Sequence, residues 1–222
     1  MSDTRARLLR AAADVVRQQG AAAASARTIA AEARVNQALI FYHFGTVSEL
    51  LEAACRQAAD EAADFYRDRL ARVTTLPELL ELGRELHERE RAAGNVAMMA
   101  QLMSGGMRDP VLARAASYAM SRWAADIETV VTRVLSGSPL GELADMGGLA
   151  RAISASFIGI ELYDGVDPAG AAQALAALER LGVLAEVAAT LGPAARRALR
   201  SKLKASSAPK PRPRRAGTAG GR

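Results

Sequence analysis

The chain has 222 residues, 50% hydrophobic and 4% aromatic, with a formal charge of +5 and a single cysteine, Cys55. That length allows a sizeable core, or a small domain set on a larger one. A lone cysteine excludes an intrachain disulfide and suits a reducing compartment. No run of about 18 apolar residues offers a membrane span, and the opening MSDTRARLLR lacks an apolar signal core, so a cytoplasmic location is expected. The charge is unevenly spread: residues 1–45 hold six Lys and Arg against three acids, residues 193–222 hold ten against none, and the centre is net acidic. Affinity for a polyanion is therefore expected at the two ends. Ala and Leu dominate and runs of Val, Ile and Thr are few, so the expected fold class is all-α.

A first helix is predicted from Asp3 or Thr4 to Gly20, a left-handed stop, with Leu8, Leu9, Ala12, Val15 and Val16 as its buried stripe. Two short helices follow across Ser25–Phe44, SARTIAAEARVNQALIFYHF, with a tight turn at Ala33–Asn36. Ser25 can cap the first, which turns Ile29, Ala30 and Ala33 inward and leaves Arg27 and Arg34 off the stripe. Val35 plugs the turn. Asn36 can cap the second helix, whose inward residues are Leu39 or Ile40 and then Phe44. Asn36, Gln37, Leu39, Phe41, Tyr42 and His43 form an outward set, polar or aromatic, with no carboxylate among them. Two short helices at a steep angle, the second with such a face, suit a helix-turn-helix in a DNA major groove.

Gly45 breaks the chain, and Thr46-Val-Ser-Glu49 reads as a capping box. It opens a helix to about Arg72, roughly 40 Å long, which can act as a lever. Thr75-Leu-Pro-Glu78 is a second capping box with an early proline, starting a helix to about Ala92. Its Glu85, Glu88 and Glu90 beside Arg84, Arg89 and Arg91 read as a solvated, salt-bridged face that also carries His87. Gly94-Asn95 interrupts, Val96–Met103 is a short apolar helix, and Ser104-Gly-Gly is a further break and turn. Asp109-Pro110 opens a helix to about Leu135. After a loop at Ser136–Gly141, helices are predicted over 143–163 and from Asp167-Pro168 to about Leu191, then a basic amphipathic piece to Leu203. The composition of 205–222 cannot bury a core, which predicts a disordered basic tail.

Taken together, residues 8–51 resemble the DNA-binding domain of the tetracycline-repressor (TetR) family. The resemblance rests on LLRAAADVVRQQG, then S-x-R-x-I-A-x-x-A, V-x-x-x-x-I-F-Y-H-F and T-x-x-E-L-L, where several spaced positions agree at once. It implies a three-helix DNA-binding domain over 1–45, helix 46–72 as connector, and a larger helical effector-binding and dimerisation domain over 46–192. Arg27 and Gln37 then match base- or phosphate-contacting positions, Ala38 and Leu39 major-groove contacts, and Phe41 and His43 phosphate contacts. With the caps and neighbours, the DNA-facing set is Ser25, Arg27, Thr28, Asn36, Gln37, Ala38, Leu39, Phe41, Tyr42 and His43. Three positions depart from the family: Arg34 stands where Gly is favoured, so a left-handed turn is strained there; Leu39 replaces a common Thr, which implies apolar contact with a base; and Val47 replaces a phosphate-contacting Lys.

In the body, Met98, Met99, Leu102, Met103 and Met107, with Tyr118, Trp123, Ile127 and Phe157, are candidates to line an effector pocket, since Met adapts to varied ligands. A Met cluster at helical spacing is more often ordinary core. Two helices with wide apolar faces carry the dimer candidates Ile153, Phe157, Ile160, Leu175, Leu178 and Leu181. Small residues Gly148, Ala152, Ser156 and Gly159 would let helices approach closely. The sequence shows no zinc-ligand spacing, nucleophile–base pair or phosphate loop, so no enzyme activity, metal or cofactor is expected. The expectation is a homodimeric regulator, a repressor of a palindromic operator, released by a small, largely apolar effector. The alternative is a nucleoid-associated protein that binds DNA without sequence preference.

Overall fold

A computed structural model describes residues 3–138, 141, 144–189 and 192–206. Its regular elements, among the described residues, are helical. They are α1 (Asp3–Gln19), a short 3-10 turn (Ala21–Ala23), α2 (Ala26–Ala33), α3 (Ala38–Phe44), α4 (Val47–Arg72), α5 (Leu76–Ala92), α6 (Asn95–Gly106), α7 (Pro110–Val134), α8 (Met146–Asp164), α9 (Pro168–Ala189) and α10 (Pro193–Ser206). The all-α expectation is met. No helix among the described residues is long and apolar enough to cross a membrane.

Local chemistry accounts for most boundaries. The Thr75 hydroxyl accepts from the Glu78 backbone N–H while the Glu78 carboxylate accepts from the Thr75 N–H, a complete capping box. At α4 the box is half made: Thr46 accepts from the Glu49 N–H, but its hydroxyl donates to the Glu49 carboxylate. Asp109 and Asp167 cap α7 and α9 by accepting from Val111 and Gly170. Gly20 ends α1 with φ 92° and ψ 159°, a positive-φ extended residue rather than the expected left-handed helical stop.

Packing decides where the sequence expectation fails. The break predicted at Ser104-Gly-Gly is absent, because α6 continues to Gly106. A Cβ on Gly105 would lie 2.7 Å from Leu112, and one on Gly106 2.9 Å from the Ala113 backbone. These glycines let α6 and α7 touch, and the energy of that contact outweighs their low helix propensity. Helix α8 is seen from Met146; Leu143, its expected start, and the tail beyond Ser206 lie outside the described residues.

Two apolar clusters run through the molecule. The upper one joins α1–α3 (Leu8, Val15, Ile29, Ile40) to Leu50 and Ala54 of α4, Met98 and Leu102 of α6, and Ala115 of α7. The lower one gathers Tyr66 and Leu70 of α4, Leu79, Leu82 and Leu86 of α5, and Val130 and Val131 of α7, with Trp123, Ile153 and Phe157 packed against it. Helices α4 and α7 therefore belong to both clusters. They are further tied by Arg114 to Glu52 (2.9 Å), by the Tyr118 hydroxyl to Asp60 (2.8 Å), and by Arg133, which donates to the carbonyls of Leu70 and Val73 at the end of α4. Cys55 is buried in the upper cluster, and burial pushes its thiol up to about 12.

The charged face expected on α5 is partly internal. Glu90 is buried, taking the Tyr66 hydroxyl (3.1 Å) and the Asn95 amide (2.6 Å). His87 is half-buried and bonds Glu161 of α8, and Arg91 pairs with the buried Asp164 (2.7 Å). Helical spacing puts these residues on an outer face, but α8 packs beside His87, and Tyr66 of α4 and Asn95 of α6 meet Glu90.

Candidate nucleic-acid interface

The reading pair is built from caps and one buried ridge. Ser25 Oγ accepts from the Thr28 N–H (3.1 Å) and lies 2.8 Å from the Thr28 hydroxyl. Both hydroxyls are thus committed to the helix start. Ile29, Ala30 and Ala33 face the core, and Arg27 is exposed.

Helix α2 ends through Arg34, which sits at φ 53° and ψ 49°. The Arg34 N–H donates to Ala31 and the Val35 N–H to Ala30, the paired bonds of a Schellman ending. That ending ordinarily uses glycine, since a side chain in this region costs about 1 kcal/mol. A brace from α1 accompanies it: Arg7 Nη2 donates to the carbonyls of Ala33 (2.6 Å) and Arg34 (3.1 Å). Arg5 of the same helix lies 5.0 Å from the centre of the Phe44 ring. The first two turns of α1 therefore reach both the turn and the far end of α3. No sequence signal marked Arg7, because its partners lie 26 and 27 residues away.

Asn36 Oδ1 accepts from the Ala38 N–H (2.8 Å), and its carbonyl accepts from Leu39. Ile40 is the inward anchor, fully buried. Leu39, which the sequence left as either inward or outward, is half-buried against the upper cluster. Asn36, Gln37 and Ala38 are exposed, as are Phe41 (50%) and Tyr42 (81%). His43 is half-buried, edge-on to the rings of Tyr42 (4.9 Å) and Phe44 (6.3 Å). Gly45, at φ 79°, then turns the chain into α4.

The body candidates are not brought together in one cavity. Met98 and Leu102 join the upper cluster, Trp123, Ile127 and Phe157 pack on the lower one, and Met103 and Met107 lie towards solvent. Met99 and Tyr118 are half-buried, Tyr118 beneath Arg56 (4.4 Å). An open cleft of about 480 Å³ is lined by Arg56, Ala113, Arg114, Ser117, Tyr118 and Ser121. Of the dimer candidates, Ile153 and Phe157 turn inward, Ile160, Leu175 and Leu178 are half-buried, and Leu181 is 60% exposed. The exposed face of α8 and α9 is carried by Ala152, Ser156, Gly159, Leu162, Tyr163, Leu181 and Leu184.

Besides α4 and α7, α6 also joins body to head. The Ala21 N–H in the 3-10 turn donates to the Gln101 side chain, and a Cβ on Gly20 would lie 3.1 Å from that same side chain. Sequence reading missed Gln101, since its partner is 80 residues away.

This fold and face define a helix-turn-helix protein with a helical C-terminal body. Residues 8–54 match the family model described as bacterial regulatory proteins, tetR family. An HTH-type transcriptional repressor of Mycobacterium tuberculosis is 48% identical over 48 residues, 22% of this chain and 26% of that protein. An HTH-type regulator of Mycobacterium bovis matches to the same extent, so the match spans about a quarter of these relatives' length. Among solved structures, the multidrug binding protein EbrR complexed with imidazole is 26% identical, covers 82% of this chain and 96% of its own, and has a TM-score of 0.61. A transcriptional regulator from Saccharomonospora viridis in complex with choline has a TM-score of 0.64 at 20% identity, over 81% of this chain and 95% of that one; this likeness concerns the fold.

Proposed function

We propose that the protein is a ligand-responsive transcriptional repressor that binds a palindromic operator as a homodimer in the cytoplasm. The observation that carries this is the exposed, acid-free face of α3, with Gln37, Ala38, Phe41 and Tyr42 presented outward by the Asn36 cap and the Ile40 anchor. Such a face can enter a major groove, with Gln37 reading base edges and Arg27 setting register on phosphates. A second copy would seat on the exposed face of α8 and α9, whose Ala152, Ser156 and Gly159 allow close helix approach. Two-fold symmetry then asks for half-sites about one helical turn apart, or a small variation on that spacing.

The body would report an effector to the head through α4 and α6, because both enter the upper cluster. An effector that binds two arrangements of these helices unequally would change the spacing of the two heads. EbrR and the Saccharomonospora viridis regulator, each solved with a small organic molecule, support a ligand role for the body.

The test is selection from randomised duplexes followed by binding of the selected site. A palindromic consensus is expected. Gln37→Ala should lose about 1–3 kcal/mol of discrimination at one base position, and Arg27→Ala should weaken all duplexes evenly and lower the salt slope by about 1. Enrichment of no consensus would favour the sequence-blind nucleoid reading, to which the basic 193–222 segment lends charge.

A further inference from the structure

We propose that α10 is a second DNA-binding surface, set at the pole of the body opposite the reading helix, so that the protein can hold two duplexes at once. The proposal rests on the regulator reading for the first duplex and goes beyond it for the second.

The course of α9 places α10. Helix α5 ends beside the head, where a Cβ on Gly94 would lie 3.8 Å from Arg17 of α1. It begins at Leu76, just past the far end of α4, whose 26 residues carry it about 39 Å from Thr46. Helix α9 packs along α5 in the opposite direction. Asp164, just before α9, pairs with Arg91 (2.7 Å), Glu179 pairs with Arg84 (3.0 Å), and a Cβ on Gly182 would lie 2.8 Å from Leu80. The partners on α5 move towards Leu76 as the chain advances, so α9 runs away from the head. It continues to Ala189, about 10 Å past Gly182. Pro193 follows Ala189 by a link that spans at most about 14 Å. Helix α10 therefore starts at the pole remote from α3.

The charge of α10 is of one sign. Arg196, Arg197, Arg200, Lys202 and Lys204 lie within its 14 residues, and no Asp or Glu occurs in 193–222. Arg196, Arg200 and Lys204 stand at the four-residue helical period, where like charges oppose the helix. A polyanion relieves that opposition. Every side chain of α10 whose exposure is described, from Pro193 to Lys202, is exposed.

The chemistry of the partner follows from what the segment lacks. A helix that lies in a lipid surface buries Trp, Phe or several Leu. Residues 193–222 contain no aromatic residue, and their large aliphatic residues are Leu199 and Leu203. Cations without apolar bulk match a phosphate backbone, which they bind by releasing counterions and without regard to sequence. Residues 46–192, between the two basic ends, are net acidic. A duplex is thus attracted at either pole and repelled along the body between them.

The test uses the full chain and a variant carrying Arg196→Gln, Arg197→Gln, Arg200→Gln, Lys202→Gln and Lys204→Gln. Glutamine is a good helix former, so the charge is removed and the helix kept. Affinity for a duplex of unrelated sequence at low salt should fall at least tenfold in the variant, with affinity for the selected duplex within twofold of wild type. Wild type loaded on immobilised selected duplex should retain a labelled unrelated duplex, and the variant at least fivefold less of it. Replacing Arg196, Arg197 and Arg200 by Lys keeps the charge and should keep retention. Circular dichroism and the unchanged affinity for the selected duplex control for folding. No retention by the wild type, or equal retention by the Gln variant, would overturn the proposal. So would equal loss of affinity for both duplexes, which would put α10 on the same duplex as the head, or retention of phosphatidylglycerol vesicles in place of the labelled duplex. Tenfold loss for the unrelated duplex with no selectable site in the wild type would sink the regulator reading alone. A selectable site with no such loss would sink this proposal alone.

Discussion

The head and the lower body are stabilised by opposite means. Every buried residue of α1–α3 is apolar, from Leu8 to Ile40, and the helix ends there are satisfied by short caps and by Arg7. In the lower body Glu90, Glu161 and Asp164 are buried between helices and depend on partners drawn from other elements. An apolar, closely packed head presents one fixed surface, as reading bases requires. The lower body instead rests on charge pairs made between helices.

The comparison is broken most directly at the residue that joins the halves. Leu102 belongs to the body by sequence, yet it is fully buried beneath the head. Leu102→Ala should cost about 2–5 kcal/mol, and hydrogen exchange should show protection lost in α1 as well as in α6. Protection lost in α6 alone would mean that the head folds independently. Next in size is Tyr66→Phe, which leaves Glu90 without its hydroxyl donor. Loss of about 1–3 kcal/mol in urea unfolding is expected, with duplex affinity little affected.

At the turn, Arg34→Gly should stabilise the protein by about 1 kcal/mol, because glycine is not strained at positive φ. The benefit should be larger in an Arg7→Ala background if the Arg7 bonds help to hold that conformation; equal benefits would show independence. The smallest effect is on pH. The folded pKa of Glu161 is raised above its unfolded value, so its contribution is fully present in acid and is lost as pH rises from the usual carboxylate range through the folded pKa. Glu161→Gln should therefore melt at or above the wild-type temperature at pH 7, with the difference shrinking towards pH 4. The opposite slope would show that the pairing with His87 outweighs burial.

Legibility in the sequence followed the range of the interactions. Caps act over two or three residues, so Ser25, Thr75, Asp109 and Asp167 were all readable and all cap. The α1 stripe and the Ile29 ridge were equally plain, because a helical period needs no knowledge of what it packs against. The turn at Arg34 was expected from the position of a missing glycine, and its left-handed backbone is as expected.

Amino-acid order by itself determined the all-α class, most helix starts and the two short helices α2 and α3, because these depend on neighbours within a turn or two. Only the tertiary structure decided that α6 lies under the head, that Gly105 and Gly106 stay helical against α7, and that His87 and Glu90 face inward. Those outcomes depend on which distant helix covers a given face. Two sides of a helix can look alike in sequence until a neighbour removes one of them from water, and that removal sets the energy of the charges beneath.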